Sequence, residues 1–229
     1  MEPFIPSPVQ TSNGKNDTIE KCDSVYLVKT VQRTFPYQYY YSVYSTQGNI
    51  PLLKLINVRQ CCAPPSIEIF SFKNETHPIG TFRHNCCSCT QGLTLTVDGH
   101  DAGKVEMNNS MCNFMINVLD SSGQVQYIIS KQNECECCDC RFCCPSQSFS
   151  NNYDIYERDL NNRPTGGMRM EYKLITNCCC NRLDEPTIFF EFPPNTPKNA
   201  KLCMVAICFI FYAQQAAGQN VHYSTINIR

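Results

Sequence analysis

One stretch constrains this chain more than any other: Leu202 to Ala213, Leu-Cys-Met-Val-Ala-Ile-Cys-Phe-Ile-Phe-Tyr-Ala, its only long unbroken apolar run. It contains no Gly or Pro, comes after Pro193, Pro194, Pro197, Lys198 and Lys201, and continues through Gln214, Gln215, Ala216 and Ala217 to a stop at Gly218. That pattern predicts a helix over about 200–217. A helix that is apolar on every face must be buried, in a protein core or in a bilayer. About 12 residues rise roughly 18 Å, whereas a hydrocarbon slab of ~30 Å asks for about 20. The helix is therefore expected at the centre of the fold, with Leu202, Met204, Val205, Ile207, Phe209, Ile210 and Phe211 as its packing residues.

The chain before the helix reads as strands. Ser24 to Val31, Tyr39 to Ser45, Ile50 to Val58, Ile67 to Lys73, Ile79 to Arg83, Leu93 to Val97 and Gly103 to Met107 are rich in β-branched and aromatic residues and are separated by turn signals such as Gln47-Gly48-Asn49 and Asp98-Gly99. The order then repeats. Phe114 to Leu119, Val125 to Ser130, Tyr153 to Asp159 and Met168 to Ile175 take the same course, Gly48 answering Gly123, Cys61 answering Cys143 and Cys86 answering Cys178. Ile188 to Phe192 is a last apolar strand. This internal duplication gives a mainly β chain of about twelve antiparallel strands, which removes its own edges by closing into a barrel. A barrel of that size has a lumen wider than its own side chains fill, and the apolar helix fits it. The expected organisation is a Pro/Ser/Asn-rich tail over 1–21, one barrel-and-helix domain over 22–217, and a short tail over 218–229.

A net charge of -1 with 19 Lys plus Arg and no basic run argues against nucleic acid as a partner. Met1 to Lys21 is polar and lacks the charged and apolar regions of a secretory signal, so the protein is expected in the cytosol or on the cytosolic face of a membrane. Pro3-Phe-Ile-Pro6 in that segment offers a PxxP pattern for protein partners.

Eighteen cysteines in a reducing compartment do not read as a disulfide framework. Most stand in tight runs: Cys61-Cys62, Cys86-Cys87-Ser-Cys89, Cys135-Glu-Cys137-Cys138-Asp-Cys140, Cys143-Cys144 and Cys178-Cys179-Cys180. Three chemistries suit such runs. Adjacent cytosolic thiols accept reversible acyl chains, and several chains hold where a single one gives only marginal membrane binding. The Cys-x-x-Cys spacings at Cys86 and Cys89, Cys137 and Cys140, and Cys140 and Cys143 also suit zinc, and cysteine can serve simply as a small buried hydrophobe. No constellation for bond-making or bond-breaking catalysis competes. His77, His84, His100 and His222 are scattered, and there is neither a phosphate-binding Gly loop nor a Gly-x-Ser-x-Gly elbow.

The Cys-Cys-x-Pro at Cys61 to Pro64, the cluster at Cys86 to Cys89, the Phe192-Pro193 pair and the terminal apolar helix, in that order, resemble the phospholipid scramblase family over about Ser24 to Ala217. The resemblance implies a tubby-like fold, a twelve-stranded barrel around a central C-terminal helix. It also implies ATP-independent, bidirectional movement of phospholipids between bilayer leaflets. Attachment would be to the cytoplasmic face of the plasma membrane through palmitoyl chains, with Cys86, Cys87 and Cys89 in the place of the family's acylation cluster and Cys137, Cys138 and Cys140 as further candidates. A non-translocating, acylated adaptor that binds lipid or protein is the alternative. In many members the family's function responds to calcium through a twelve-residue loop. Anchored on Phe192-Pro193, that loop puts Asp184 first, Pro186 third, Phe189 sixth and Asn195 twelfth. Only the first acidic ligand is kept, and Glu185 and Glu191 are the carboxylates that could compensate, against a need for six to eight oxygens and a sharp glycine turn.

Overall fold

The structure, a computed structural model, describes residues 18–32, 38–58, 66–73, 76–84, 91–110, 113–131, 148–158, 163–177, 180–183 and 186–211. It opens with a 3-10 turn, η1 (Ile19–Lys21), and continues through β1 (Ser24–Gln32), β2 (Gln38–Ser45), β3 (Pro51–Val58), β4 (Ser66–Ser71), β5 (Gly80–His84), β6 (Gln91–Val97) and β7 (His100–Ser110). After these come β8 (Asn113–Leu119), β9 (Val125–Lys131), β10 (Ser148–Glu157), β11 (Gly166–Asn177), β12 (Cys180–Leu183), β13 (Thr187–Glu191) and the helix α1 (198–211). Every strand from β1 to β10 pairs antiparallel with the next. The pairings β10 with β11, β11 with β13 and β13 with β1 close the ring. The protein is a closed antiparallel barrel of twelve strands with one C-terminal helix.

The sequence reading missed β12. It pairs with the last residues of β11, from Leu174 opposite Leu183 to Asn177 opposite Cys180, whereas β13 takes β11 from Glu171 back to Gly167. Three residues separate β12 from β13, too few to reach the other edge of β11. The two are therefore successive parts of one wall strand, with the register shifting by one between them.

The duplication read from the sequence is visible as matched pairing. In β2–β3 the register slips between Val43 and Tyr44, just before the Gly48 turn, and in β8–β9 between Val118 and Leu119, just before the Gly123 turn. Ile69 faces Gly80 and Ile67 faces Phe82; in the second half Ile155 faces Gly166 and Tyr153 faces Met168. Leu93 faces Val105 where β6 meets β7, as Ile188 faces Leu27 where β13 meets β1. The halves diverge after their sixth strands. Asp98 and Gly99, both at positive φ (51° and 79°), turn β6 tightly back into β7. After β13 the chain instead passes through Phe192 and Pro193 and enters the barrel as α1.

Alternation decides which side chains line the lumen. Val25 and Leu27, Tyr41 and Val43, Leu53 and Leu55, Ile67 and Ile69, Leu93 and Leu95, and Ile116 and Val118 are all buried, and the strand residues between the members of these pairs are more exposed, apart from Ser42. The helix occupies the space they surround: every residue from Ala200 to Phe211 is buried. Burying the seven large apolar side chains from Leu202 to Phe211 contributes roughly 10–20 kcal/mol before entropy is counted. Its fit is close. Tyr41 meets the Phe209 ring edge-on at 5.0 Å, Tyr153 lies 5.5 Å from Phe211, and a Cβ on Gly103 would stand 3.1 Å from the Cys203 sulfur. At Gly103 the helix leaves no ready room for a side chain on β7.

The β8–β9 turn carries its own lock. The Asp120 Oδ1 accepts bonds from the Ser122 amide (2.8 Å), the Ser122 hydroxyl (2.6 Å) and the Gln124 amide (3.0 Å). These donors, the Ser122 hydroxyl foremost, hold the carboxyl below its ordinary 3.8. A depressed folded value means that the contribution is present above pH 3.8 and is lost as the pH falls below 3.8 through the folded value. Amide exchange at Ser122 and Gln124 should therefore accelerate in that acid window before the strands β8 and β9 lose protection.

Candidate functional site

An up-and-down barrel has two ends, and consecutive connections alternate between them. One end is the mouth through which the helix enters. The Gly48, Gly99 and Gly123 turns lie there with the start of β1 and the end of β13, and Thr46 donates to the Ser24 carbonyl. At this mouth Lys201 is 4% exposed although it carries a charge. Its ammonium donates to the carbonyls of Glu20 (2.9 Å) and Cys22 (2.7 Å) and lies 5.2 Å from the Phe192 ring centre. Burial lowers its pKa, opposed by the nearby carboxylates of Asp23 and Glu20. Lys198 adds an ion pair with Glu20 at 3.1 Å. The turn η1 is thus strapped across the helix's first turn, with Ile19 and Cys22 buried. Ile19, inside the segment expected as a tail, is packed against the domain.

The other end belongs to the cysteines. Runs at 61–62, 86–89, 112, 135–144 and 178–180 fall in successive connections separated by two strands each, β4 and β5, β6 and β7, β8 and β9, then β10 and β11. Two antiparallel strands return the chain to the end it left. The strand ends flanking these runs, from Val58 and Ser66 round to Asn177 and Cys180, therefore share the end opposite the helix entrance. All of the eighteen cysteines except Cys22, Cys203 and Cys208 belong to these runs. The expected lipidation residues Cys86, Cys87, Cys89, Cys137, Cys138 and Cys140 lie outside the described residues.

Cys203 and Cys208 are of another kind. Burial inside the barrel pushes Cys203 up to about 12 and Cys208 well above its ordinary 9.0. Since the thiolate is the reactive form, both should resist alkylation in the folded protein and react only on unfolding, as peptide mass mapping of native and denatured samples would show.

Alternation also places polar residues on the inner face near the cysteine end. Lys29 continues the inward row of Val25 and Leu27, Asn57 that of Leu53 and Leu55, His84 that of Gly80 and Phe82, and Lys131 that of Tyr127 and Ile129. Burial lowers the pKa of His84. This rim was not found from the sequence, because its members come from four separate strands and only the register brings them to one level.

Of the four residues expected to serve calcium, Glu191 and Asn195 are described, and the stretch before them is a strand. Thr187–Glu191 is a wall strand hydrogen-bonded to β1 on one side and β11 on the other, so the middle of the 184–195 stretch is extended. Phe189, at the place of the loop glycine, packs on the outer wall 6.0 Å from Tyr26. Glu191 ends the strand, and Asn195 sits in the turn beyond it at φ 59°. Asp184 and Glu185 lie outside the described residues. Among the described residues no group of three or more His, Cys, Asp or Glu side chains could hold a metal ion, and no helix is long and apolar enough to cross a membrane. The central-helix residues Leu202, Met204, Val205, Ile207, Phe209, Ile210 and Phe211 are all buried, as expected. No protein-family model matches the chain, and neither does a curated protein or a solved structure.

Proposed function

We propose that the chain is a membrane-attached protein of the phospholipid scramblase type, which binds phospholipid and passes it in both directions between bilayer leaflets without ATP. The observation that carries this reading is that the strand ends flanking the five cysteine-bearing connections share one end of the barrel. Thiols brought to one end can be acylated together, and several chains inserted side by side hold that end on the cytoplasmic face of the plasma membrane. The inner rim beside them, with Lys29 and Lys131, supports the same orientation, since cations at that level meet phosphate headgroups. Calcium at 184–195 has no part in the reading, and zinc at the cysteine runs is its competitor for the same thiols.

The enclosure of the central helix favours a second reading, an acylated adaptor that binds lipid or protein without moving lipid. The two separate in vesicles. Protein reconstituted with fluorescent phospholipid is challenged with a membrane-impermeant quencher, with and without calcium, after flotation has shown it bound. Quenching beyond the outer leaflet, equal in both conditions, is the expected result. Vesicle-bound protein that leaves the inner leaflet protected in both conditions overturns translocation and leaves the adaptor.

A further inference from the structure

Adjacent glycines open β11, and only one of them has a packing reason. A Cβ on Gly166 would stand 2.5 Å from the Glu191 carbonyl oxygen and 2.8 Å from Pro193, so the chain entering the helix passes too close for a side chain. A Cβ on Gly167 would meet nothing nearer than the Tyr153 carbonyl at 3.7 Å. A strand glycine marks a bulge, a bend or a place where a ligand or another backbone approaches, and Gly167 sits in two ladders without a register shift. Gly167 lies on the floor of an outer cleft of about 430 Å³ near the helix-entrance end. Its register partners are Asp154 on β10 and Glu191 on β13, so two carboxylates flank a bare stretch of strand, roughly 10 Å apart by two interstrand spacings. Ser24 faces Glu191 from β1 and lines the same cleft.

Two residues further along β11 stands Arg169, roughly 7 Å away on the same face. Its Nε is held by the Glu171 carboxylate at 3.1 Å and its guanidinium lies 5.0 Å from the Phe189 ring centre. A guanidinium carries five N–H donors, and Glu171 is bonded to one side of this fork. The cleft thus presents, in order, a place for a cation between two carboxylates and a fixed guanidinium one side-chain spacing away, with an aromatic ring beside it.

We propose that this cleft binds an ammonioethyl phosphate ester, the ammonium over Gly167 between Asp154 and Glu191 and the phosphate on Arg169. The site lies at the end of the barrel opposite the cysteine runs, so it goes beyond the membrane attachment proposed above and does not depend on it. The same chemistry is offered by a soluble ester and by a headgroup of a second bilayer facing that end.

Glycerophosphoethanolamine and glycerophosphocholine are titrated into the full chain, with the amides of Gly167 and Arg169 monitored by NMR and glycerophosphoglycerol, inorganic phosphate and calcium as comparisons. Saturable shifts with the two ammonium esters, at least about tenfold tighter than with glycerophosphoglycerol or phosphate, are expected from the charge-assisted contacts. The variant Gly167→Leu fills the floor where the backbone leaves room, and Asp154→Asn with Glu191→Gln removes the charges at constant volume. Both should abolish the shifts while the melting temperature stays at the wild-type value. Vesicles of phosphatidylethanolamine or of phosphatidylglycerol alone, added to protein already anchored on other vesicles, distinguish the sources: bridging by the former alone identifies a facing bilayer, and its absence beside binding of the soluble esters identifies a soluble ligand. Equal response to esters with and without ammonium, response to calcium alone, or binding retained in Gly167→Leu overturns the site. Loss of scrambling or of membrane attachment leaves the NMR titrations and their variants unaffected, so the two proposals fail separately.

Discussion

Replacing Ile207 by Asp should leave no folded protein at neutral pH. Ile207 is fully buried in the middle of a helix whose every residue from Ala200 to Phe211 is buried, inside a wall of Val, Leu, Ile, Phe and Met. A carboxylate there would have neither water nor a cationic partner on the helix nearer than Lys201, two turns of chain away at the mouth and committed to the carbonyls of Glu20 and Cys22. Even after it takes up a proton the group keeps the cost of an unpaired buried polar atom, and the apolar contacts of Ile207 are gone. The sum exceeds about 5 kcal/mol, comparable with the whole ~5–15 kcal/mol stability of a domain. Circular dichroism should show the β signal lost or the protein recovered only as aggregate. The variant Ile207→Val, which removes one methylene, should fold and cost about 0.5–1.5 kcal/mol. A well-folded Ile207→Asp would mean that the helix does not sit in the barrel.

The second large effect is expected at Lys201. Substitution by Met keeps most of the aliphatic stem but removes the ammonium, leaving the carbonyls of Glu20 and Cys22 without the donor that reaches both. The Cys22 carbonyl is in a buried bond and the Glu20 carbonyl in a partly buried one; an abandoned buried acceptor costs about 1–3 kcal/mol and the second adds less, so a loss of roughly 1–4 kcal/mol is expected in denaturant unfolding. The charge itself is costly to bury, as its lowered pKa indicates, and that relief offsets part of the loss. The effect should be localised as well. Hydrogen exchange at η1 and at the first turn of α1 should speed up, while β8 and β9 on the far wall keep their protection. Lys198→Met, which breaks only the exposed ion pair with Glu20, should cost less than about 1 kcal/mol. If the two variants behaved alike, the strap across the mouth would be a surface feature and not a support of the helix.

The wall and its contents were legible in the sequence because they rest on local signals. Apolar alternation marked the strands, Gly48, Gly99 and Gly123 marked turns that need positive φ, and the run of apolar residues after Pro197 was too short for a bilayer and too apolar for a surface. Features that depend on register were not legible. Ile19 and Cys22 are packed because Lys201 reaches back to their segment, a contact that no local pattern announces. The rim of Lys29, Asn57, His84 and Lys131 and the cleft around Gly167 exist only once neighbouring strands are aligned to the residue. Gly166 and Gly167 precede the strand expected from Met168, whereas they open it, and their different surroundings give them different reasons to be glycine. The 184–195 stretch carries two expectations, a last strand at Ile188 to Phe192 and the frame of a calcium loop; the strand is present as β13 (Thr187–Glu191), and Asp184 and Glu185 lie outside the described residues. The cysteine end is an intermediate case. Two strands separate each run from the next in the sequence, but only the closed ring turns that spacing into a shared end for the flanking strand ends.

The central claim is that the cysteine end faces a membrane through acyl chains, and site-resolved acyl mapping tests it most directly. Protein isolated from cells with its membranes is treated with hydroxylamine, the released thiols are labelled, and the labelled cysteines are assigned by peptide mass analysis beside flotation of the treated sample. The account predicts thioester label within the runs from Cys61 to Cys180, above all at Cys86, Cys87 and Cys89, none at Cys22, Cys203 or Cys208, and loss of flotation after hydroxylamine. Runs whose thiols carry no thioester, in protein that floats equally well before and after treatment, would contradict it.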